Sequence, residues 1–416
     1  MGSTFIFIGL LIFSAHLFAA LFSKRRIPDV LLLMAIGIVI GPVLHWVTPE
    51  SLSNIGAIFS SLTLLLILFD SGVDTSFDAI RRYWPGMVEI TFLSLLLSVA
   101  TTTILTHFYV GLDLEASMLL GSIVSGTAAA VVIPLVRQMK VSEKTGTVLV
   151  LESAVSGMLS IVVTLTMLDG YRRGSLTVGS MLGNVLASLV MSLLIGVVGG
   201  IVWAGLLDRI RKFKNSMFLT PAFLIVLYGI AEALDYSGAM AALAFGIVLG
   251  NIDYFNLSFL HKFGKMHMLP LSKAERSFFQ ELVFVFKTFF FVYIGICIPF
   301  NNTEALLYGL VITAALFAVR FALIFSVGHK NTLNDRLVVS MMIPKGLVAA
   351  VLASMPEQLN TTMGYEVVPG ATLIKHITYS VIFCSIIITS LLVLVGSGKL
   401  IKDTPAGNYE EVYDYE

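Results

Sequence analysis

The stretch Met342-Ile343-Pro344-Lys345-Gly346-Leu347-Val348-Ala349-Ala350 decides how this chain reads. It lies inside the apolar segment 337–356 and puts a fixed cation and a Pro–Gly helix breaker at one point. A charge at the centre of a spanning helix costs about 3 kcal/mol. Interrupted backbone persists at that depth only where it is buried in protein or lines a cavity. A matching interruption, Ser125-Gly126-Thr127, falls in an earlier apolar segment. Two broken helices in corresponding halves of a chain are the sequence pointer to the binding site of a secondary transporter.

Composition agrees with a bilayer setting. Of 416 residues, 57% are hydrophobic and 12% charged, far from a soluble balance. The expected class is an all-α polytopic membrane protein whose first partner is the lipid bilayer. A net charge of +0 gives no basis for nucleic-acid binding. Cys297 and Cys384 both lie in apolar segments and read as small hydrophobes. No metal constellation or activated nucleophile is legible, so neither an enzyme nor a bound cofactor is expected.

Apolar runs of spanning length fall at 4–22, 29–47, 55–73, 86–109, 114–136, 145–168, 176–206, 217–234, 237–252, 278–299, 304–327, 337–356 and 372–397, thirteen in all. The division within 217–252 is the least marked, resting on Asp235-Tyr236-Ser237-Gly238. Basic residues alternate across this count. The odd-numbered connections and the tail hold twenty of the 26 lysines and arginines, the even-numbered ones only Arg172 and Arg173. The positive-inside rule then places the N-terminus outside and the C-terminus in the cytoplasm.

An internal repeat accompanies this pattern. Segment two, Ala35-Ile36-Gly37-Ile38-Val39-Ile40-Gly41, matches segment nine, Ala244-Phe245-Gly246-Ile247-Val248-Leu249-Gly250. Segment five, from Gly126-Thr127-Ala128, matches segment twelve, from Gly346-Leu347-Val348. Both pairs are seven segments apart, an odd number, so the copies face opposite ways. The expectation is one transmembrane domain over 1–402, with inverted six-helix repeats at 1–170 and 217–397. A connecting helix covers 176–206, and 403–416 form a short cytoplasmic tail.

Charged residues within the spans are functional candidates. Asp70 closes segment three near the cytoplasmic face, either as an exchanging acid or as an interfacial carboxylate. Glu152 lies about two turns into segment six, Lys287 mid-way along segment ten, and Lys345 at the second break. Arg320 is also deep and either snorkels or pairs. Burying an acid with a base offsets much of the desolvation cost, and Glu152 is expected to pair with Lys345. Ser153, Ser156 and Ser160 recur at helical spacing. With Ser125 and Thr127 they offer oxygens for a partly dehydrated Na⁺ or K⁺, or else bond back to their own helix.

Five motifs carry a family resemblance. They are Arg26-Ile27-Pro28-Asp29 leading to Gly37–Pro42, Leu68-Phe69-Asp70-Ser71-Gly72, and Leu151-Glu152-Ser153-Ala154. The other two are Lys287-Thr288-Phe289-Phe290-Phe291 and Pro344-Lys345-Gly346-Leu347. In this order and spacing the chain resembles a monovalent cation–proton antiporter of the sodium/proton exchanger superfamily. The resemblance implies that segments five and twelve cross at their breaks and that other helices form a homodimer. It implies transport of a monovalent cation and protons, in the plasma membrane of a prokaryote.

The chain departs from the family at its centre. After the Glu-Ser pair the family continues to an acid that binds the cation and accepts the proton. Ser156 and Gly157 stand there instead, and Ala128 and Ala129 follow Thr127 where an Asp is common. Candidate core residues are therefore Asp70, Ser125, Gly126, Thr127, Glu152, Ser153, Ser156, Gly157, Lys287, Lys345 and Gly346. Three readings follow. One is cation–proton exchange, with Asp70 or Glu152 taking over the proton. Another is a transporter of an anion or organic solute without proton coupling. The last is a non-transporting sensor or partner subunit.

Overall fold

Hydrocarbon offers no water to backbone N–H and C=O groups, so spanning segments satisfy them internally as helices. The computed structural model describes residues 9–10, 12–13, 16–17, 29–47, 53–75, 77–139, 142–173, 178–213, 216–234, 236–255, 270–300, 302–327 and 332–400. Among them the regular structure is helical, without a strand. The first apolar run, 4–22, lies mostly outside the described residues, and the tail 403–416 wholly so.

The helices follow the apolar runs. They are α1 (Asp29–Ile38), α2 (Ser53–Val73), α3 (Phe77–Leu105), α4 (Leu114–Ser125), α5 (Ala129–Met139) and α6 (Glu143–Arg173). Next come α7 (Val178–Ile210), α8 (Leu219–Ala233), α9 (Gly238–Gly250) and α10 (Lys273–Cys297). The chain closes with α11 (Thr303–Val327), α12 (Leu333–Met341), α13 (Leu347–Met363) and α14 (Ala371–Leu400). Segments five and twelve are each split in two, as their Gly and Pro-Lys-Gly interruptions predict. Segments eight and nine are separate helices because Ser237 caps α9, its hydroxyl accepting from Met240 N–H at 3.3 Å. Among the described residues seven helices are long and apolar enough to cross a membrane by length and composition.

The chain divides into two compact units. The first takes the described residues within Met1–Asn54, Tyr83–Thr164 and Thr288–Glu416; the second takes those within Ile55–Arg82 and Leu165–Lys287. In the first unit α14 is the central element, packed on α4, α11, α12 and α13. In the second, α9 packs on α7 and α8. Its core joins Phe69, Phe245 and Phe279 to Trp203 and Leu224, all nearly inaccessible.

Within each unit two helices meet backbone to backbone through glycine. In the first, Gly37 of α1 faces Gly295 of α10. A Cβ at Gly37 would lie 2.1 Å from Val292 O, and one at Gly295 would lie 2.2 Å from Met34 O. In the second, Gly246 of α9 faces Gly72 of α2, and a Cβ at Gly246 would lie 2.2 Å from Phe69 O. Under the seven-segment offset α1 corresponds to α9 and α2 to α10. The two crossings therefore join segments that correspond under that offset. Small residues drive such contacts because hydrocarbon supplies no hydrophobic attraction between helices.

Gly246→Ala is expected to destabilise the protein by about 1–3 kcal/mol, because the clash is with backbone. Gly229→Ala serves as its control. A Cβ there meets nothing within 4 Å, so stability should hold or rise by up to about 1 kcal/mol. Thermal unfolding of both variants in detergent measures the difference.

Candidate functional site

The first break runs from Ser125, the last residue of α4, to Ala129, the first of α5. Gly126 is extended there, at φ −66° and ψ 150°. The second break spans Met342–Gly346, between α12 and α13. A direct hydrogen bond joins the two: Ala128 N–H donates to Pro344 O at 2.8 Å. Gly346 makes this approach possible, since a Cβ on it would lie 2.6 Å from Ala128 Cβ. Pro344 and Gly346 break their helix, and the carbonyl thereby freed meets the N–H freed by the other break.

The second half of the site comes from α6. Glu152, Ser156 and Ser160 follow one another at four-residue steps and share a face. Ser156 Oγ accepts from Thr127 N–H at 3.1 Å, and its own hydrogen goes to Ser153 O at 3.3 Å. Ser160 Oγ donates to Ser122 O at 2.7 Å, and Ser125 Oγ also donates to Ser122 O, at 2.7 Å. The serines thus divide their work. Ser125 and Ser156 bond back to their own helices, Ser160 bonds across to α4, and each keeps lone pairs for a further partner. Gly126 lies against this face, where a Cβ would sit 3.0 Å from Ser160 Cβ and 3.2 Å from Gly157 Cα. Gly157 has room: a Cβ there meets only Val348 Cγ2 at 3.9 Å and Thr127 O at 4.0 Å.

Lys345 is 2% exposed. Its backbone N–H donates to Ser385 Oγ of α14 at 2.9 Å, and its Nζ donates to Ser125 O at 3.2 Å. The ammonium therefore rests on the C-terminal end of α4, where terminal carbonyls lack helical partners and the helix dipole is negative.

The expected Glu152–Lys345 pair is corrected. Glu152 pairs with Arg320 of α11, both side chains 2% exposed. The contact is bidentate: Nη1 to Oε1 at 2.5 Å and Nη2 to Oε2 at 2.7 Å. Arg320 Nε donates in addition to Val339 O of α12 at 3.2 Å. A planar guanidinium matches a carboxylate and a carbonyl together, which an ammonium does less well. The signal for this pair was the isolation of Arg320 in an otherwise uncharged helical stretch, where a buried cation requires a buried acid. Ser385 and Ser122 were missed as well, since serine is common in membrane helices and its partner is invisible in sequence.

The structure thus gathers Ser125, Gly126, Thr127, Ser156, Gly157, Lys345 and Gly346 around the two breaks, with Glu152 and Ser153 one turn away along α6. Asp70 and Lys287 belong to the second unit. Asp70 is half-buried with Asp74 and Arg276 as charged neighbours. Lys287 Nζ stands 6.0 Å from the centroid of the Phe284 ring. Among the described residues no group of three or more His, Cys, Asp or Glu side chains could hold a metal ion.

The chain and its fold have counterparts among known proteins. The family described as "Sodium/hydrogen exchanger, transmembrane" matches residues 11–395. The chain belongs to that family. Na(+)/H(+) antiporter 1 of Methanocaldococcus jannaschii is 24% identical over 423 residues, covering 94% of this chain and 91% of the relative. The K(+)/H(+) antiporter NhaP2 of Shewanella sp. (strain MR-4) is 22% identical, covering 93% of this chain and 65% of the relative. The solved structure of the sodium proton antiporter MjNhaP1 from Methanocaldococcus jannaschii at pH 8 superposes with a TM-score of 0.74 at 21% identity. It covers 92% of this chain and 98% of that one. The fold is therefore the sodium/proton antiporter fold expected from the sequence.

Arg320→Met leaves a buried carboxylate without its cation and is expected to cost about 3–5 kcal/mol. The joint Glu152→Gln, Arg320→Met variant should lose distinctly less, giving a coupling energy well above 0.5 kcal/mol. Glu152→Gln combined with Lys345→Met should be closer to additive. Denaturant unfolding of the single and double variants in detergent separates the two pairings.

Proposed function

We propose that the protein is a secondary active transporter that exchanges a monovalent cation, Na⁺ or K⁺, for protons. The observation that carries this reading is the hydrogen-bonded meeting of the two breaks, Ala128 N–H to Pro344 O, with buried hydroxyls and Lys345 around it. Polar, irregular backbone held at the centre of an apolar fold is where transporters of this architecture bind their cargo. Family membership supports the reaction class, and the relatives named as Na⁺/H⁺ and K⁺/H⁺ antiporters support both candidate ions.

Anion transport is the weaker reading. The end of α4 presents carbonyl oxygen to the site, and Ser125 O already holds a cation, the ammonium of Lys345. An anion placed there would face the negative end of the helix dipole. The proposal extends to a homodimer, on the family resemblance. It extends also to a plasma-membrane location with the N-terminus outside and the C-terminus cytoplasmic, which the Lys and Arg asymmetry supports.

In proteoliposomes carrying an internal pH dye, an external pulse of Na⁺ or K⁺ should alkalinise the lumen as protons leave. Absence of any cation-evoked signal, including with Li⁺, would reject exchange.

The space at Gly157 yields a second expectation. Gly157→Asp should fold normally and tighten cation binding by at least about tenfold. Opposite charges 4 Å apart attract by about 4 kcal/mol at an effective dielectric of 20, and tenfold requires 1.4 kcal/mol. Isothermal titration with NaCl and KCl, at constant ionic strength, reads the change.

A further inference from the structure

Each break gives one backbone N–H to a serine on an unbroken helix. At the first, Thr127 N–H donates to Ser156 Oγ of α6 at 3.1 Å, and that hydroxyl donates three residues back, to Ser153 O, at 3.3 Å. At the second, Lys345 N–H donates to Ser385 Oγ of α14 at 2.9 Å. That hydroxyl also donates three residues back, to Ile382 O, at 3.0 Å. The helices α6 and α14 are segments six and thirteen, which correspond under the seven-segment offset. One device therefore serves both breaks, and its second copy lies outside every motif that carries the family resemblance.

Ser385 differs from the other buried hydroxyls of its helix. Thr378, Ser380 and Ser390 donate four residues back, to Ile374 O, His376 O and Ile386 O. Among the described residues they make no hydrogen bond outside α14. Ser385 alone of these four takes up a backbone group of another element, and at 1% exposure no water stands ready to replace it.

The contact controls more than one atom. Pro344 and Lys345 are consecutive, and between them they reach three places. Pro344 O accepts from Ala128 N–H, Lys345 N–H donates to Ser385, and Lys345 Nζ donates to Ser125 O. The first and third of these partners belong to the other break. Ser385 is the partner on an unbroken helix, and that helix packs on α4, α11, α12 and α13. It is the fixed point against which the second break is set.

We infer, on the basis of the exchange reading above, that Ser385 is a positioning residue for cation binding. Its hydroxyl fixes the height of the second break along α14, and with it the spacing of the oxygens that hold the cation between the breaks. It acts through the backbone of Pro344 and Lys345. Without the hydroxyl, Lys345 N–H is left buried and unmet, and the break shifts to find another acceptor. A misplaced site binds the cation less well before and during transport alike, so the loss falls on KM and not on kcat.

The test compares Ser385→Ala with Ser390→Ala, which removes a buried hydroxyl from the same helix away from the break. In proteoliposomes Ser385→Ala should raise KM for Na⁺ or K⁺ by about five- to tenfold and leave kcat within about twofold. Ser390→Ala should keep the wild-type KM. Ser385→Cys, whose sulfur is a weak acceptor, should fall between wild type and Ser385→Ala, and it carries the test if the alanine variant does not fold. Hydrogen exchange of the backbone around Lys345 should quicken at least about fivefold in Ser385→Ala and stay unchanged in Ser390→Ala. An unchanged KM in folded Ser385→Ala, or an equal rise in both alanine variants, would overturn the assignment and leave the exchange reading standing. A wild type silent in every cation pulse would remove both.

Discussion

The hydrogen bond from Ala128 N–H to Pro344 O is the contact on which the site depends. A helix broken inside a bilayer exposes backbone groups that cannot reach water, and each unmet group costs several kcal/mol. Here each interruption satisfies the other. That contact, together with Ser156 Oγ on Thr127 N–H and Ser385 Oγ on Lys345 N–H, meets backbone groups that the breaks set free, and it brings Thr127 and Lys345 to one place. The glycines follow from the same requirement, because a side chain on Gly346 or Gly126 would separate the groups that must meet.

Around that contact the charges are arranged by shape as well as sign. Arg320 binds Glu152 with two nitrogens and the end of α12 with a third, connecting α6, α11 and α12 in the first unit. A lysine has no flat fork and would make this three-way connection less well. Lys345 instead sits at the end of α4, where partial charges offset its own. The guanidinium and the ammonium thus do different work: one fastens helices, the other stands at the crossing on the carbonyl of Ser125.

Much of this was legible in residue order, for stated physical reasons. Hydrocarbon thickness sets span length, so the apolar runs mark helices. Pro344, Gly346 and Gly126 mark breaks because their backbones end helices. The four-residue recurrence of Glu152, Ser156 and Ser160 marks a face. Partner choice was not legible. Glu152 and Arg320 are 168 positions apart, and no periodicity within one helix reveals which neighbour it will face. Residue order leaves Arg320 open between snorkelling and pairing, and geometry decides it: the guanidinium takes Glu152, and the ammonium of Lys345 rests on a carbonyl. The matched glycine crossings show the opposite case. Gly37 and Gly246 were found by similarity alone, and each proves to sit at a close helix contact within its own unit.

The vacancy beside Gly157 has a consequence at the level of descent. Glycine and aspartate codons differ at their second base, so a single point mutation separates this position from an acidic one. The backbone already leaves room for the Cβ of a new side chain. A lineage carrying this scaffold therefore stands one nucleotide from a different ion-coupling chemistry, with no need to rebuild the surrounding helices first.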